Sequence, residues 1–445
     1  MKVAFKMRFP VAVVVGMLLI VNPGNSFGQS EGVPLPVSEA PRRTIDLKGL
    51  SDEAFRKNPA LRAKKHEYEG ARAKVVNAWL PDDPMIGVDA EGQPDLFRIG
   101  NRTDNEYMIQ QTIPFPTKLF LKAMLATKEA DMAYQRYREE ERKLLWHMEQ
   151  PYYELFLAKK EAQIFEDNKV LLTQLIKSAR SRYESAQGNQ GDLLKAQIES
   201  SKTDIEIFNQ KEKIHVAEAH FAHILNQPLA MHYDLNPEIK RNKFQWDITT
   251  LENLALQKRP ELRAVSLMAE EAGMSRDLYK QSWLPDITLQ YKGRQFKDED
   301  SISQNDTFVG VTVPVWSLIR GIGGGWHAAE MDAQAAQASY EAFKNEVLLK
   351  IHESFSKVRS AENALDTYEN MILPQAKQQV EVFLSSYEAG KSEFLTVIDA
   401  ERTLRDSQME YYKSLAEYEM ALSDLRLAVG DNLDQTLNKI GGSSK

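Results

Sequence analysis

Residues 317 to 429 read as one helical run broken once, at Glu388-Ala389-Gly390-Lys391-Ser392. Before the break Ile372, Ala376, Val380, Phe383 and Tyr387 recur in steps of three and four, one stripe on one helix face. After it Phe394, Leu395, Val397, Ile398, Leu404, Leu415, Tyr418, Leu422 and Leu425 mark an antiparallel return that stops at Gly430. At 1.5 Å per residue the roughly 70 residues from 317 to 387 make a rod of about 105 Å, too long for a compact domain.

The run occurs twice. About 200 residues upstream, Asn58-Pro59-Ala60-Leu61 is echoed by Arg259-Pro260-Glu261-Leu262, and Trp79-Leu80-Pro81-Asp82 by Trp283-Leu284-Pro285-Asp286. Thr112-Ile113-Pro114-Phe115 matches Thr312-Val313-Pro314-Val315, Tyr183-Glu184 matches Tyr387-Glu388, and Ala196-Gln197 matches Ala400-Glu401. The order predicts a tandem duplication over 51–226 and 252–429, with 227–251 as the connection.

Each copy holds a stretch of period two. In 84–116, Ile86, Val88 and Ala90 alternate with Met85, Gly87 and Asp89, and Tyr107, Ile109, Gln111 and Ile113 with Met108, Gln110 and Thr112. A polar loop with Arg98, Asn101, Arg102, Asp104 and Asn105 joins these strands. In 285–316 the strands carry Ile287, Leu289 and Tyr291, then Val309, Val311 and Val313, around an acidic loop at Asp298-Glu299-Asp300. A helix from Ser51, a candidate N-cap, to Leu80 precedes the first hairpin. A helix over about 117–187, a break at Gln187-Gly188-Asn189-Gln190-Gly191 and a return to about Leu225 follow it. The shorter helices, about 30 and about 37 residues, stacked end to end match the roughly 71 of the long one. Pro151 and Pro374 predict kinks in the long helices.

Residues 1–28 carry Lys2, Lys6 and Arg8, an apolar run from Phe9 to Val21 and Ser26-Phe27-Gly28, the pattern of a signal peptide; an uncleaved anchor is the alternative. No other window reaches 18 apolar residues, so any later membrane contact falls to β-strands. Residues 29–50 form an extended arm and 430–445 a loose tail. The net charge of -8, with no basic cluster, argues against nucleic acid as partner. The absence of cysteine removes disulfides, thiolate metal sites and a lipidated N-terminal cysteine together.

Four amphipathic strands cannot close a barrel, and an open edge in hydrocarbon leaves backbone groups unpaired at several kcal/mol each. Several chains must therefore share one. Two copies give eight strands around a side-chain-filled interior; three give twelve and leave a bore. Trp79, Phe115, Trp283 and Trp316 lie at strand ends, as an aromatic belt or as core residues.

The tandem halves, Asn58-Pro59-Ala60-Leu61, the Trp-Leu-Pro of each half, Ile113-Pro114-Phe115-Pro116 and Tyr387-Glu388-Ala389-Gly390 together resemble the TolC family of outer-membrane efflux channels. The resemblance implies a mainly α fold with a small β part. Tandem-duplicated long α-hairpins would form a periplasmic α-barrel, and four strands per chain would enter a shared twelve-stranded transmembrane β-barrel in a homotrimer. It implies contact with outer-membrane lipid, a periplasmic adaptor protein and an inner-membrane efflux transporter. It places a periplasmic gate at the helical turns, with Asp399 as the ring carboxylate and Thr396 where a second acidic position falls in relatives. Tyr387 would be a latch bonded to Asp192. The residues alone allow a plainer reading, in which Asp192 caps its helix and Tyr387 packs in the seam. Ile113-Pro114-Phe115-Pro116-Thr117-Lys118-Leu119 looks like that of members serving heavy-metal pumps.

His215, His220, His223 and His232 gather in one region, placed near the membrane-distal helix end. His220 and His223 share a face at i, i+3 but lack a completing ligand, which reads as ordinary polar positions rather than a metal site. Gly323-Gly324-Gly325-Trp326 lacks the βαβ unit of a dinucleotide site and reads as a strand-to-helix joint. No catalytic constellation and no cofactor site emerges, which disfavours an exported hydrolase. A periplasmic scaffold or adaptor without a pore is the remaining alternative, and it has no need of the two hairpins.

Overall fold

A computed structural model describes residues 43–45, 47–91, 104–186, 188–229, 233–235, 239, 241, 244–296 and 301–431. The signal segment, most of the arm, Arg98, Asn101, Arg102, Gln187, His232, Asp298-Glu299-Asp300 and the tail beyond Asp431 lie outside the described residues. The first half runs β1 (Arg43–Ile45), α1 (Leu47–Lys57), α2 (Pro59–Ala78), β2 (Met85–Glu91), β3 (Asp104–Ile113), α3 (Pro116–Glu184) and α4 (Gln190–Ile224). After β4 (Tyr233–Leu235), the second runs α5 (Ile248–Lys258), α6 (Pro260–Lys280), β5 (Asp286–Phe296), β6 (Gln304–Thr312), α7 (Val315–Arg320), α8 (Trp326–Thr367), α9 (Leu373–Glu388) and α10 (Phe394–Val429).

The 69 residues of α3 extend about 104 Å. Helices α2 and α4 pack along different stretches of it, and α6 and α10 do the same along α8 and α9. The cores repeat with the chain. Leu50, Ala54, Leu144, Met148, Leu155, Ala217, Phe221 and Leu225 cluster in the first half. Leu251, Ala255, Val347, Ile351, Val358, Ala421, Leu425 and Val429 cluster at the matching places of the second.

Each pre-hairpin helix is in fact two. The residue before a proline is pushed out of the α region, and Asn58 and Arg259 take extended backbone before Pro59 and Pro260. Ser51 is no cap; its hydroxyl donates to the Leu47 carbonyl inside α1 (2.8 Å). The break also fastens the return helix. Asn58 Nδ2 donates to the Ile224 carbonyl (3.0 Å), and Arg259 Nη1 donates to the equivalent Ala428 carbonyl (3.0 Å), each satisfying a group left open at a helix end.

Pro151 is passed within an unbroken α3, whereas the second long helix is split by a kink at Gly321–Gly325, where Gly324 leaves the helical region, and by a π-turn at Tyr368–Ile372, just before Pro374. The sequence reading also missed β1 and β4, a parallel pair that ties the start of the described chain to the connection between halves.

Candidate functional site

Strands β2-β3-β5-β6 form one antiparallel sheet in that order, so β2 and β6 are open edges. Directly paired residues share a face, and the pairings Ile86↔Ile109, Val88↔Tyr107, Ile109↔Tyr291, Ile113↔Ile287, Ile287↔Val311 and Leu289↔Val309 put the apolar set on one side. Ile86, Val88, Ile109, Ile287, Leu289, Tyr291, Val309 and Val311 are all exposed there. The opposite side carries Glu106, Gln110, Thr112, Gln290, Lys292 and Arg294, with Glu106 paired to both Lys292 and Arg294. A sheet with a bare apolar face, a charged face and two free edges is built for lipid on one side and water on the other. The strands end beside aromatic groups: Trp79 meets Phe120 edge-on at 6.0 Å, and Trp79, Trp283 and Trp316 are exposed. That removes the core reading for these tryptophans within a single chain.

At the far end of the column α3, α4, α9 and α10 meet. Leu172, Leu175, Ala179, Ala196, Tyr387, Phe394, Val397 and Ile398 form their common core. Both helical turns carry a left-handed residue at the same place, Ala186 (φ 56°) and Gly390 (φ 72°). There α9 closes with the Lys391 N–H donating to the Ser386 carbonyl (2.8 Å).

Two ties fasten the α9–α10 hairpin to the α3–α4 hairpin. Arg182 Nη1 donates to the Tyr387 carbonyl (2.7 Å), and its guanidinium lies 4.7 Å from the Tyr387 ring centroid. Arg402 pairs with Glu199 across from α10 to α4. Glu401, next to Arg402, is 4% exposed. Burial pushes its carboxyl up to about 7, with Asp406 and Glu199 acting the same way and Arg405 and Arg402 against it.

The residues singled out in the sequence fall here as follows. Tyr387 is buried in the shared core, and burial raises its phenol, with Asp192 adding to the rise and Arg182 opposing it. Its polar partner is Arg182; Asp192 acts through its charge and makes no hydrogen bond to it. Nor does Asp192 cap α4. That position belongs to Asn189, whose side chain accepts from the Gly191 N–H (3.0 Å). Asp399 is 61% exposed, 3.6 Å from Arg402, and Thr396 is half-buried in the first turn of α10. Sequence reasoning missed Arg182, Glu199, Glu401 and Arg402. The available signal was local: Arg182 precedes the matched Tyr183-Glu184, and Glu401 replaces the Gln197 of the first half.

His220 and His223 are exposed and lie at the other end of α4, beside the Asn58–Ile224 bond, not at the helical turns as expected. Among the described residues no group of three or more His, Cys, Asp or Glu is placed to hold a metal, and no helix is long and apolar enough to cross a membrane.

Solved structures share this architecture. The outer-membrane channel OprN superposes with a TM-score of 0.74 at 16% identity, over 87% of this chain and 90% of that one. CusC gives 0.74 at 16%, over 91% and 99%. VceC from Vibrio cholerae gives 0.74 at 17%, over 87% and 96%. In sequence, the outer membrane protein TolC of Vibrio cholerae is 21% identical over 90% of this chain and 94% of its own. The cobalt-zinc-cadmium resistance protein CzcC of Cupriavidus metallidurans is 24% identical over 146 residues, a match that spans only 34% of that protein and 33% of this one. The family model described as outer membrane efflux protein matches residues 50–227 and 251–431. With both halves matched, the chain belongs to the outer membrane efflux protein family.

Proposed function

We propose that three copies of this chain close a twelve-stranded barrel and a helical tunnel, forming a passive conduit fed by an inner-membrane pump through a periplasmic adaptor. The observation that carries this is the sheet's continuous apolar face between two unpaired edges, which one chain cannot satisfy in lipid. The helical part has matching edges. Helix α4 exposes Leu194, Ile198, Ile205 and Phe208 on one face, and the α8–α9 side exposes Leu349, Met371 and Val382, so neighbouring copies bury both.

The gate is the turn end, where the α9–α10 hairpin is held closed by Arg182 and Arg402. On α10 the exposed Asp399, Asp406, Glu410 and Glu417 stand at i, i+7, i+11 and i+18, a stripe of carboxylates starting at the turn, of which the first three are paired with Arg402, Arg405 and Lys413 of the same helix. Facing the bore, that stripe favours cations. A metal-cation cargo fits it, as do the partial similarity to CzcC and the Ile113-Pro114-Phe115-Pro116 exit.

Membrane fractionation and planar-bilayer recording test the proposal. The protein stays in the outer membrane after high salt and the purified form conducts as a trimer; a monomer that washes off is a scaffold instead. Asp399→Ala weakens cation block or alters conductance, and unchanged conductance at every ionic strength removes Asp399 from the bore.

A further inference from the structure

The halves diverge just after their strands. Past Pro114, the first half goes straight into its long helix, with Phe115 at the cap and Pro116 as first residue. Past the matching Pro314, the second half inserts α7 and the kinked segment Gly321–Gly325 before α8 begins. Helix α7 has six residues, below the length that holds together alone in water. It makes no extensive contact with any described element beyond that kinked segment. Yet Val315, Trp316 (75%) and Ile319 are exposed, and so is Ile322 (69%), in steps of three and four that keep them on one side.

This segment is not a loose end. The Trp326 indole lies against Gly321 and the Tyr279 hydroxyl against Gly325, so closely that a Cβ at either glycine would collide. Gly324, at φ 120°, turns the chain between them through a region that L side chains rarely adopt. An apolar surface is thus presented at a fixed joint. It follows in the chain directly on the exposed Val309 and Val311 of the apolar face of β6 and on the exposed Val313 just past the end of that strand. Between Val313 and Trp326 there is no acidic residue, and Arg320 is exposed. Bulky apolar groups, one tryptophan and one exposed arginine, whose Nε donates to the Trp316 carbonyl (3.2 Å), are the composition of a segment lying in a membrane interface.

We propose that Val313–Ile322 is a membrane foot, lying in the phospholipid interface of the leaflet that faces the periplasm. With one copy per chain, a trimer would set three such feet around the barrel base. They would supply part of the anchorage that a lipidated cysteine would give, and this chain has no cysteine. The inference rests on the sheet being a lipid-embedded wall, and its test separates the two.

The absence of native cysteine permits single-site labelling of the full chain. Ile322→Cys, Val309→Cys and Ser185→Cys each carry an environment-sensitive fluorophore, in nanodiscs of phosphatidylethanolamine and phosphatidylglycerol. Nitroxide lipids labelled at the headgroup or shallow in the acyl chain are the quenchers. Quenching at Ile322→Cys several-fold above that at Ser185→Cys, the site at the helical turn, is the expected result, with Val309→Cys also quenched. A quenched Val309→Cys with an Ile322→Cys site open to aqueous iodide overturns the foot alone. An Ile322→Cys site shielded from both lipid and iodide overturns it in favour of a neighbouring copy as the cover. Loss of lipid quenching at Val309→Cys overturns the wall and the foot together.

Discussion

The two halves share their core positions and left-handed turn residues, yet the first carries an unbroken long helix and the second a divided one. A proline lies inside each run, so proline alone does not decide the outcome. Around Pro151 the chain is packed: Met148, Pro151, Tyr153, Leu155 and Phe156 are all buried, and their contacts hold the helix across the missing hydrogen bond. Before Pro374, none of Tyr368–Ile372 is buried. There the chain forms a π-turn just ahead of the proline, with no buried side chain to hold it to the α geometry. Arg241 from the connection grips this place, 2.6 Å from Asp366 and 3.5 Å from Glu369. The two prolines are not copies of one position, since Phe355 is the counterpart of Pro151 at the offset that matches Tyr183 to Tyr387, and the packing around each differs accordingly.

The strongest way to break this comparison is to remove one matched core residue from each half. Phe221 and Leu425 stand at equivalent points of the return helices, both fully buried. Phe221→Ala costs about 3–5 kcal/mol and Leu425→Ala about 2–5 kcal/mol, from lost burial and the cavity left behind. Chemical unfolding of the purified protein measures both. A loss below about 1 kcal/mol at one site alone would show that the halves, alike in layout, are unequal in what holds them.

Next in size is the acid that only the second half buries. Gln197 is neutral and exposed; its counterpart Glu401 is 4% exposed. Its packed-state value of about 7 lies above the ordinary 4.5, so the packed form keeps its proton longer than the unpacked one. The cost of burying it is therefore absent below about pH 4.5, grows through the interval up to 7 and is complete above it, on the order of 3 kcal/mol. Glu401→Gln flattens stability across that interval and raises it at pH 8. An unchanged pH slope in the variant would assign the dependence to another group.

How much of this was visible beforehand follows from the range of each interaction. The strand faces were legible because side-chain alternation is local, and the observed pairings carry Ile86, Ile109, Ile287 and Val311 onto one surface. The breaks at Asn58-Pro59 and Arg259-Pro260 were legible in principle, from proline's effect on its predecessor, but the helical stripe running through them hid them. The ties Arg182–Tyr387 and Arg402–Glu199 were not legible. They join residues about 200 positions apart, and many arginines along the chain would have served as well on sequence alone. The same applies to Asp192, which the resemblance made the partner of Tyr387, whereas the packing pairs Tyr387 with Arg182.

The smallest test sharpens the comparison at a single joint, because the second half has two adjacent glycines with opposite demands. A Cβ at Gly323 meets nothing within 4 Å, and its φ lies outside the left-handed range. Gly323→Ala therefore stabilises by about 0.4–1 kcal/mol, chiefly by restricting the unfolded chain. Gly324 has equal space but sits at φ 120°, where an L residue is strained. Gly324→Ala costs about 1–3 kcal/mol or forces the joint to re-form. Thermal unfolding of the two variants side by side reads the sign directly. Opposite signs mean that the backbone at Gly324, and not the open space around the triplet, sets how the second half leaves its strands. Two changes of the same sign would make the triplet a mere spacer, and the contrast with the direct Phe115-Pro116 entry of the first half would lose its structural cause.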